Sequence, residues 1–167
     1  MLDRRALSTH INHKRTSTDA QNAEARELFN VSKSVRCVFR NGKAVASNGV
    51  WTGPARHPFD HGLAQSIAQL LHGSNAIDSG RGDGRLVGHL RGAGIDAEGY
   101  DGNPNTPAMS FGQCATIDLS RPVHLMPRRW VVSLEVGEHI PAEFEGEFFD
   151  NLERHATEGV VLSWASP

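Results

Sequence analysis

A glycine-rich loop in the middle of the chain carries its strongest chemical signal. Residues 76–86 read AIDSGRGDGRL: an apolar start, the acidic residue Asp78, and then glycine at every second position, at Gly80, Gly82 and Gly84. Glycine has no Cβ, so the backbone can approach a ligand closely. A helix that follows offers free N–H groups and the positive end of its dipole. The pattern predicts a nucleotide-like ligand where a parallel strand turns into a helix.

Three more acidic residues follow the next predicted strands: Asp101, Asp118 and Glu135. The carboxyl ends of parallel strands share one edge of a sheet, so these side chains and Asp78 are expected to meet in one crevice. Taken singly, each acid is more simply a solvated loop residue or a helix cap. Together they favour a binding site, with Asp101 placed where a ribose hydroxyl would need an acceptor.

The elements that must position these residues alternate from residue 74 onward. Strands are predicted at 74–78, 95–100, 114–119, 130–136 and 160–164. Helices are predicted from Gly84 to Gly92 and from Pro141 to Gly159, the second with an apolar stripe of Phe144, Phe148, Phe149 and Leu152, and a loop covers 103–112. Alternation of this kind predicts an α/β fold, a parallel sheet flanked by helices.

The first 60 residues have a different character. Residues 1–33 are polar and weakly periodic and are interpreted as an extension with one predicted helix near 19–29. Residues 34–59 are assigned to a β-hairpin at 35–47, joined by Asn41-Gly42, and a loop. The predicted ligand-binding domain spans 60–167, and its first helix is capped by Asp60, carries Leu63, Ile67, Leu70 and Leu71, and ends at Gly73.

Composition limits the classes of function. The chain has 167 residues, 38% of them hydrophobic, and a formal net charge of -2, so overall charge does not indicate a nucleic-acid partner. No apolar run is long enough to span a membrane. Only Cys37 and Cys114 are present, which fits a reducing compartment. The N-terminus lacks a secretory apolar segment, so a cytoplasmic location is expected, with an organelle transit segment left open.

With these residues assembled, the chain resembles the class I S-adenosylmethionine-dependent methyltransferases over roughly residues 60–167. The resemblance implies a Rossmann-like fold and transfer of a methyl group to an O or N acceptor, most simply on a small molecule. It also implies that the glycine loop surrounds the methionine part of the cofactor, that Asp101 binds the ribose, that Asp118 lies near the adenine amine, and that Glu135 lies beside the sulfonium. The cofactor residues implied are Asp78, Ser79, Gly80, Gly82, Gly84, Asp101, Gly102, Asp118 and Glu135.

The sequence Glu135-Val136-Gly137-Glu138-His139 admits three interpretations. The simplest is a strand end that runs into a loop. In some of the methyltransferases resembled here, the two glutamates and the histidine bind a divalent metal; carried over, Glu135, Glu138 and His139 would hold Mg²⁺ or Mn²⁺. Alternatively, His139 is a general base that takes a proton from the acceptor. All three residues are candidate catalytic residues.

Two departures from the family pattern concern the cofactor. Arg81 stands between the first two glycines, where the family often has a small residue or cysteine, and this cation must point away from a cationic sulfonium. Gly102 stands where the family often has an apolar residue against the adenine, so Asn103-Pro104 is expected to supply that contact.

Two other functions are weighed against methyl transfer. An NAD-dependent oxidoreductase would also use Asp101, but a dinucleotide fingerprint places its third glycine three residues after the second; that position is Arg85, and glycine is at Gly84 instead. A non-catalytic methyltransferase-like domain is the third possibility. It rests on Arg81 and on the predicted end of the sheet at strand 160–164, beyond which the family usually adds two antiparallel strands. That edge is explained by truncation, by coverage from the hairpin, or by pairing with another chain, and truncation is the preferred explanation.

Overall fold

A five-stranded parallel sheet forms the centre of the computed structural model, which describes residues 37–40, 43–51, 58–80 and 82–164. Its strands are β3 (Asn75–Ser79), β4 (Asp96–Asp101), β5 (Cys114–Thr116), β6 (Arg128–Leu134) and β7 (Ala156–Ser163), in the order β5-β4-β3-β6-β7. All four neighbouring pairs are parallel. The predicted α/β class and sheet are therefore confirmed, and the order reverses between β3 and β6.

Helices cover both faces of the sheet. They are α1 (His61–Leu70), α2 (Arg85–Gly92), the four-residue α3 (Thr106–Met109) and α4 (Glu145–His155). Two 3₁₀ turns, Gly137–His139 and Ala142–Phe144, connect β6 to α4. Short α3 lies within the segment 103–112 that was predicted to be a loop.

Alternate residues of the central strands enter two separate hydrophobic cores. Val132 packs with Leu71 and Leu90 on the face covered by α1 and α2. Val131 packs with Phe148 and Leu152 on the face covered by α4. Both faces of β6 are therefore buried, as the apolar run 130–136 predicted, because side chains alternate in direction along a strand.

The predicted position of the first helix is confirmed, but the helix buries a different set of residues from the one predicted. Asp60 caps it, accepting a hydrogen bond from the backbone N–H of Leu63 at 2.9 Å. However, Leu63 and Leu70 are 40% and 58% exposed, and the core is entered by Ile67, Leu71 and two alanines. The helix contacts the core along a narrower stripe than its apolar residues suggest.

The prediction that Gly159 ends the last helix is wrong. Helix α4 ends at His155, whose Nε2 accepts a hydrogen bond from the backbone N–H of Leu125 at 2.9 Å. Gly159 lies inside β7, directly against Trp130: a Cβ built on it would be 2.7 Å from the indole ring. This glycine makes room for an aromatic ring in the neighbouring strand and does not break a helix.

The predicted hairpin is present and is separate from the main sheet. Strands β1 (Cys37–Arg40) and β2 (Lys43–Ala46) pair antiparallel, and a further bridge joins Val45 to Trp51. The turn residues 41–42, the predicted extension 1–33, residues 52–57 and Arg81 lie outside the described residues. Within the described part of the chain β7 pairs only with β6, so the hairpin does not cover that edge. No helix among the described residues is long and apolar enough to cross a bilayer.

Candidate functional site

A cavity of about 400 Å³ opens at the carboxyl edge of the sheet, where the strand order reverses. This volume lies in the range of small-molecule sites. Its walls come from the glycine loop after β3, the ends of β4 and β6, the loop after β5, and the segment 48–51 that follows the hairpin. The lining includes the predicted residues Gly80, Gly82, Asp101, Gly102, Asp118, Glu135, Glu138 and His139.

The first two glycines bring backbone to the cavity wall. Gly80 has φ +107°, donates a hydrogen bond to the Tyr100 carbonyl at 2.7 Å, and lies so close to Val136 that a Cβ would be 2.3 Å from a methyl carbon. A Cβ on Gly82 would be 3.1 Å from the carboxyl carbon of Asp101. The loop therefore passes close to the carboxylate at the end of β4, and a side chain on Gly82 would require this carboxylate to shift.

The other predicted residues of this loop lie behind the cavity wall. Asp78 and Ser79 are buried, and the Ser79 carbonyl accepts a hydrogen bond from the Ser133 hydroxyl at 2.9 Å. Gly84 has φ +71° and packs against Ser110, with a Cβ position 2.9 Å from the serine Cβ. These three residues do not line the cavity, and they hold the loop against the neighbouring strands and α3.

The acids after β4 and β5 line one side of the cavity. Asp101 accepts a hydrogen bond from the backbone N–H of Asn103 at 2.7 Å, which fixes its carboxylate beside Gly82. Asp118 accepts hydrogen bonds from the Ser120 hydroxyl at 2.6 Å and, at its second oxygen, from the side-chain amide of Asn48 at 3.0 Å. Both acids therefore lie in one crevice, as the parallel sheet predicts.

Glu135 lines the cavity, but its carboxylate is directed toward β7. The residue has φ +55°, a left-handed backbone conformation, directly after β6. Its Oε1 accepts a hydrogen bond from the Ser163 hydroxyl at 2.7 Å, and its N–H donates to the same residue.

The predicted metal triad of Glu135, Glu138 and His139 is not supported. Among the described residues no group of three His, Cys, Asp or Glu side chains could hold a metal ion. The physical reason is the turn at Glu135: its backbone conformation and its bond to Ser163 direct this carboxylate toward β7.

Glu138 and His139 remain together on the 3₁₀ turn. The His139 Nε2 is 4.0 Å from the Glu138 Oε1, and both side chains line the cavity. The Trp51 indole meets the imidazole edge-on, with ring centroids 5.0 Å apart. The histidine is therefore held between a carboxylate and an aromatic ring at the cavity edge.

The segment 48–51 is the part of the site that sequence reasoning missed. All four of its residues line the cavity, and Gly49, with φ +87°, contacts the His139 carbonyl so tightly that a Cβ would be 2.2 Å away. Val50 fills the space over Gly102, at 2.5 Å from that glycine's Cβ position. Val50 and Asn103 both line the cavity beside Gly102, and the prediction that Asn103-Pro104 contacts the adenine stays a prediction. The one available signal was Trp51, a large aromatic residue in an otherwise polar loop.

The described lining is strongly acidic. It contains Asp83, Asp101, Asp118, Glu135 and Glu138, and His139 is its one basic side chain among the described residues. Asp83 also accepts hydrogen bonds from the backbone N–H and the guanidinium of Arg85, the first residue of α2. Such a lining attracts a cationic ligand and repels an anionic one.

No family model matches the sequence, and no curated protein matches it. The structure, in contrast, is similar to several solved methyltransferases. A TehB-like SAM-dependent methyltransferase from Corynebacterium glutamicum aligns at TM-score 0.57 and 23% identity, over 62% of this chain and 62% of its own. CalS10, an amino pentose methyltransferase from Micromonospora echinaspora solved with SAM bound, aligns at TM-score 0.56 and 13% identity, over 68% of this chain and 60% of its own. Magnesium protoporphyrin IX methyltransferase from Synechocystis, also with bound SAM, aligns at TM-score 0.53 and 21% identity, over 68% of this chain and 66% of its own.

These similarities establish the fold. The described chain has the fold of the class I S-adenosylmethionine-dependent methyltransferases, as the resemblance implied. The chain spans 60%, 62% and 66% of the lengths of these three proteins.

Proposed function

We propose that this chain binds S-adenosylmethionine in the cavity at the carboxyl edge of its sheet and transfers the methyl group to an O or N acceptor. The observation that carries the proposal is the acidic lining on a methyltransferase fold. S-adenosylmethionine has a sulfonium cation, which carboxylates stabilise, whereas the pyrophosphate of NAD is a dianion that they would repel. The charge of the site therefore favours methyl transfer over the dinucleotide-dependent oxidation considered above.

The residues present fit this cofactor. In the proposed arrangement the loop of Gly80 and Gly82 passes close to the methionine part, Asp101 accepts from the ribose hydroxyls, and Asp118 accepts from the adenine amine. Two carboxylates fixed by backbone and serine hydrogen bonds are suitable acceptors for these donors. Asp78, Ser79 and Gly84 support the loop from behind, and Glu135 lines the methionine end.

The chain's own contribution to catalysis is proposed to be alignment and proton removal. When bound, S-adenosylmethionine supplies an electrophilic methyl carbon and a thioether leaving group. The cavity walls orient the acceptor in line with the bond that breaks and exclude water. His139 takes the proton that the acceptor loses, at Nε2, and the nearby Glu138 carboxylate stabilises the imidazolium that results. No metal is required for this step, because proton removal provides the nucleophile.

The acceptor is proposed to be a small molecule. CalS10 and the protoporphyrin methyltransferase, both named for small-molecule acceptors, share the fold. Specificity in such folds comes from loops and additions, so the acceptor is not assigned further. We propose a cytoplasmic location on the composition alone. We also propose that the exposed edge of β7 pairs with another polypeptide segment.

Calorimetric titration with S-adenosylhomocysteine and, separately, with NADH tests the proposal. We expect the first to bind and the second not to bind. Asp101→Ala should weaken S-adenosylhomocysteine binding by about 10- to 100-fold, because hydrogen bonds to a charged acceptor contribute about 1.5–3 kcal/mol.

The matched control is Asp96→Ala. Asp96 lies at the other end of β4, outside the cavity, and pairs with Arg128. This variant should keep the wild-type affinity. Binding of NADH alone, or no binding of either ligand, would contradict the proposed function; cofactor binding without transfer to any acceptor would identify the non-catalytic alternative.

A further inference from the structure

Segment 48–51 occupies the end of the cavity that contains Asp118. The Asn48 side-chain amide donates to Asp118 Oδ2 at 3.0 Å, across 70 positions of sequence. Its own carbonyl oxygen accepts from the Val50 N–H at 3.4 Å, which directs the amide nitrogen toward the carboxylate. Val50 at the same time fills the space over Gly102. The segment thus contacts Asp118, which the proposed function assigns to the adenine amine, and the neighbouring Gly102.

Three hydrogen bonds and one ion pair already engage the Asp118 carboxylate. A carboxylate has about four lone-pair sites. Oδ1 accepts from the backbone N–H and the hydroxyl of Ser120, at 3.0 and 2.6 Å. Oδ2 accepts from Asn48 and lies 3.4 Å from the Arg121 Nε. Of these donors, only Asn48 comes from a distant part of the chain, so it is the one that can leave without unfolding the loop after β5.

We propose that Asn48 is an autoinhibitory residue whose side-chain amide takes the place of the adenine amine on Asp118, so that the cofactor amine reaches this carboxylate only when the Asn48 amide leaves it. This inference rests on the proposed function. An amide NH₂ and an exocyclic amine are both two-proton donors of similar reach, and one carboxylate oxygen cannot accept both in the same position. The apparent affinity for a ligand that carries the amine is then its intrinsic affinity multiplied by the fraction of molecules in which Asn48 has left Asp118, whereas a ligand without the amine is unaffected.

If Asn48 leaves Asp118 together with the rest of segment 48–51, the contacts of this segment with His139, on the acceptor side of the site, change as well. Trp51 stands edge-on to His139, and Gly49 packs on the carbonyl of the same histidine. Trp51 is joined to the hairpin through its bridge with Val45. Segment 48–51 therefore contacts the adenine end of the site, the proposed base His139 and the hairpin, so that a movement of the segment would affect all three.

The test compares the wild-type chain with Asn48→Ala and with Ser47→Ala, an exposed neighbour in the same turn. Affinities are measured by calorimetry for S-adenosylhomocysteine, for adenosine and for purine riboside, which lacks the exocyclic amine. Asn48→Ala should bind S-adenosylhomocysteine and adenosine about fivefold more tightly, and purine riboside with unchanged affinity. Ser47→Ala should behave as the wild type.

The remaining outcomes separate the inference from the proposed function. If S-adenosylhomocysteine binds but Asn48→Ala binds it equally or more weakly, the autoinhibitory role is wrong and the proposed function stands. An equal gain for adenosine and purine riboside also overturns it, because the gain would not depend on the amine. If neither the wild type nor the variant binds S-adenosylhomocysteine, both proposals fail. Thermal unfolding of each variant confirms that it is folded.

Discussion

The thiol of Cys114 has a strongly altered acidity. Cys114 is the first residue of β5 and is buried, with its sulfur against Gly99 and near Gly84. Burial, followed by the charge of Asp78, raises its pKa from 9.0 to about 11. The neutral thiol is favoured in the folded protein because a thiolate would lose its hydration and face a carboxylate.

This shift predicts how stability depends on pH. Because the folded pKa is higher than the unfolded one, the thiol's contribution is fully present below pH 9 and is lost as pH rises through about 11. The free energy of unfolding should fall over this window in urea titrations. In Cys114→Ala the free energy of unfolding should fall less steeply with pH over this window. An equal dependence on pH in the variant and the wild type would show that the Cys114 thiol is not the group responsible.

The turn that carries the proposed base depends on the helix behind it. Gly137 begins this turn and lies so close to Trp164 that a Cβ would be 1.8 Å from the ring. Trp164 in turn stacks on Phe149 of α4, with ring centroids 6.0 Å apart and planes 11° apart. The position of Glu138 and His139 is therefore set by packing between elements as well as by the local chain.

Gly137→Ala should destabilise the protein by about 1–3 kcal/mol, because the added methyl overpacks this contact. The change is measured as a lower midpoint of urea unfolding. The matched control is Gly146→Ala in α4, where a Cβ meets nothing within 4 Å. That variant should be neutral or more stable by up to about 1 kcal/mol, because alanine favours the helix. Equal effects of the two substitutions would exclude the packing explanation.

At the scale of the whole molecule, the parallel sheet concentrates negative charge on one edge. Asp101, Asp118 and Glu135 follow three different strands and meet in one cavity, although the formal net charge of the chain is only -2. The described lining of the cavity therefore carries more negative charge than the net charge of the chain suggests.

This arrangement predicts an effect of salt on binding. Raising the salt concentration from 0.05 to 0.5 M shortens the Debye length several-fold, so binding of S-adenosylmethionine should weaken by about two- to fivefold. S-adenosylhomocysteine, which lacks the sulfonium charge, should weaken less and serves as the control ligand. Calorimetry at both concentrations gives the comparison, and an equal response of the two ligands would show that the acids do not act on the sulfonium.

Local sequence patterns predict the order of elements and the edge of the sheet at which the acids meet. The hairpin, the alternating strands and helices, and the positions of Gly80, Gly82, Asp101 and Asp118 at the cavity all follow from local patterns. The physical reason is that periodicity, turn residues and glycine preferences act over a few residues, and parallel strands necessarily place their carboxyl ends on one edge.

The contacts between distant segments could not be predicted from the sequence. Gly159 lies inside β7, where the Trp130 ring occupies the space that a side chain would take. Glu135 points toward β7 because the Ser163 hydroxyl donates a hydrogen bond to its carboxylate. Asn48 meets Asp118 from 70 residues away. No local pattern records such pairs, because the energy that selects them comes from packing and hydrogen bonds that exist only once the sheet has formed.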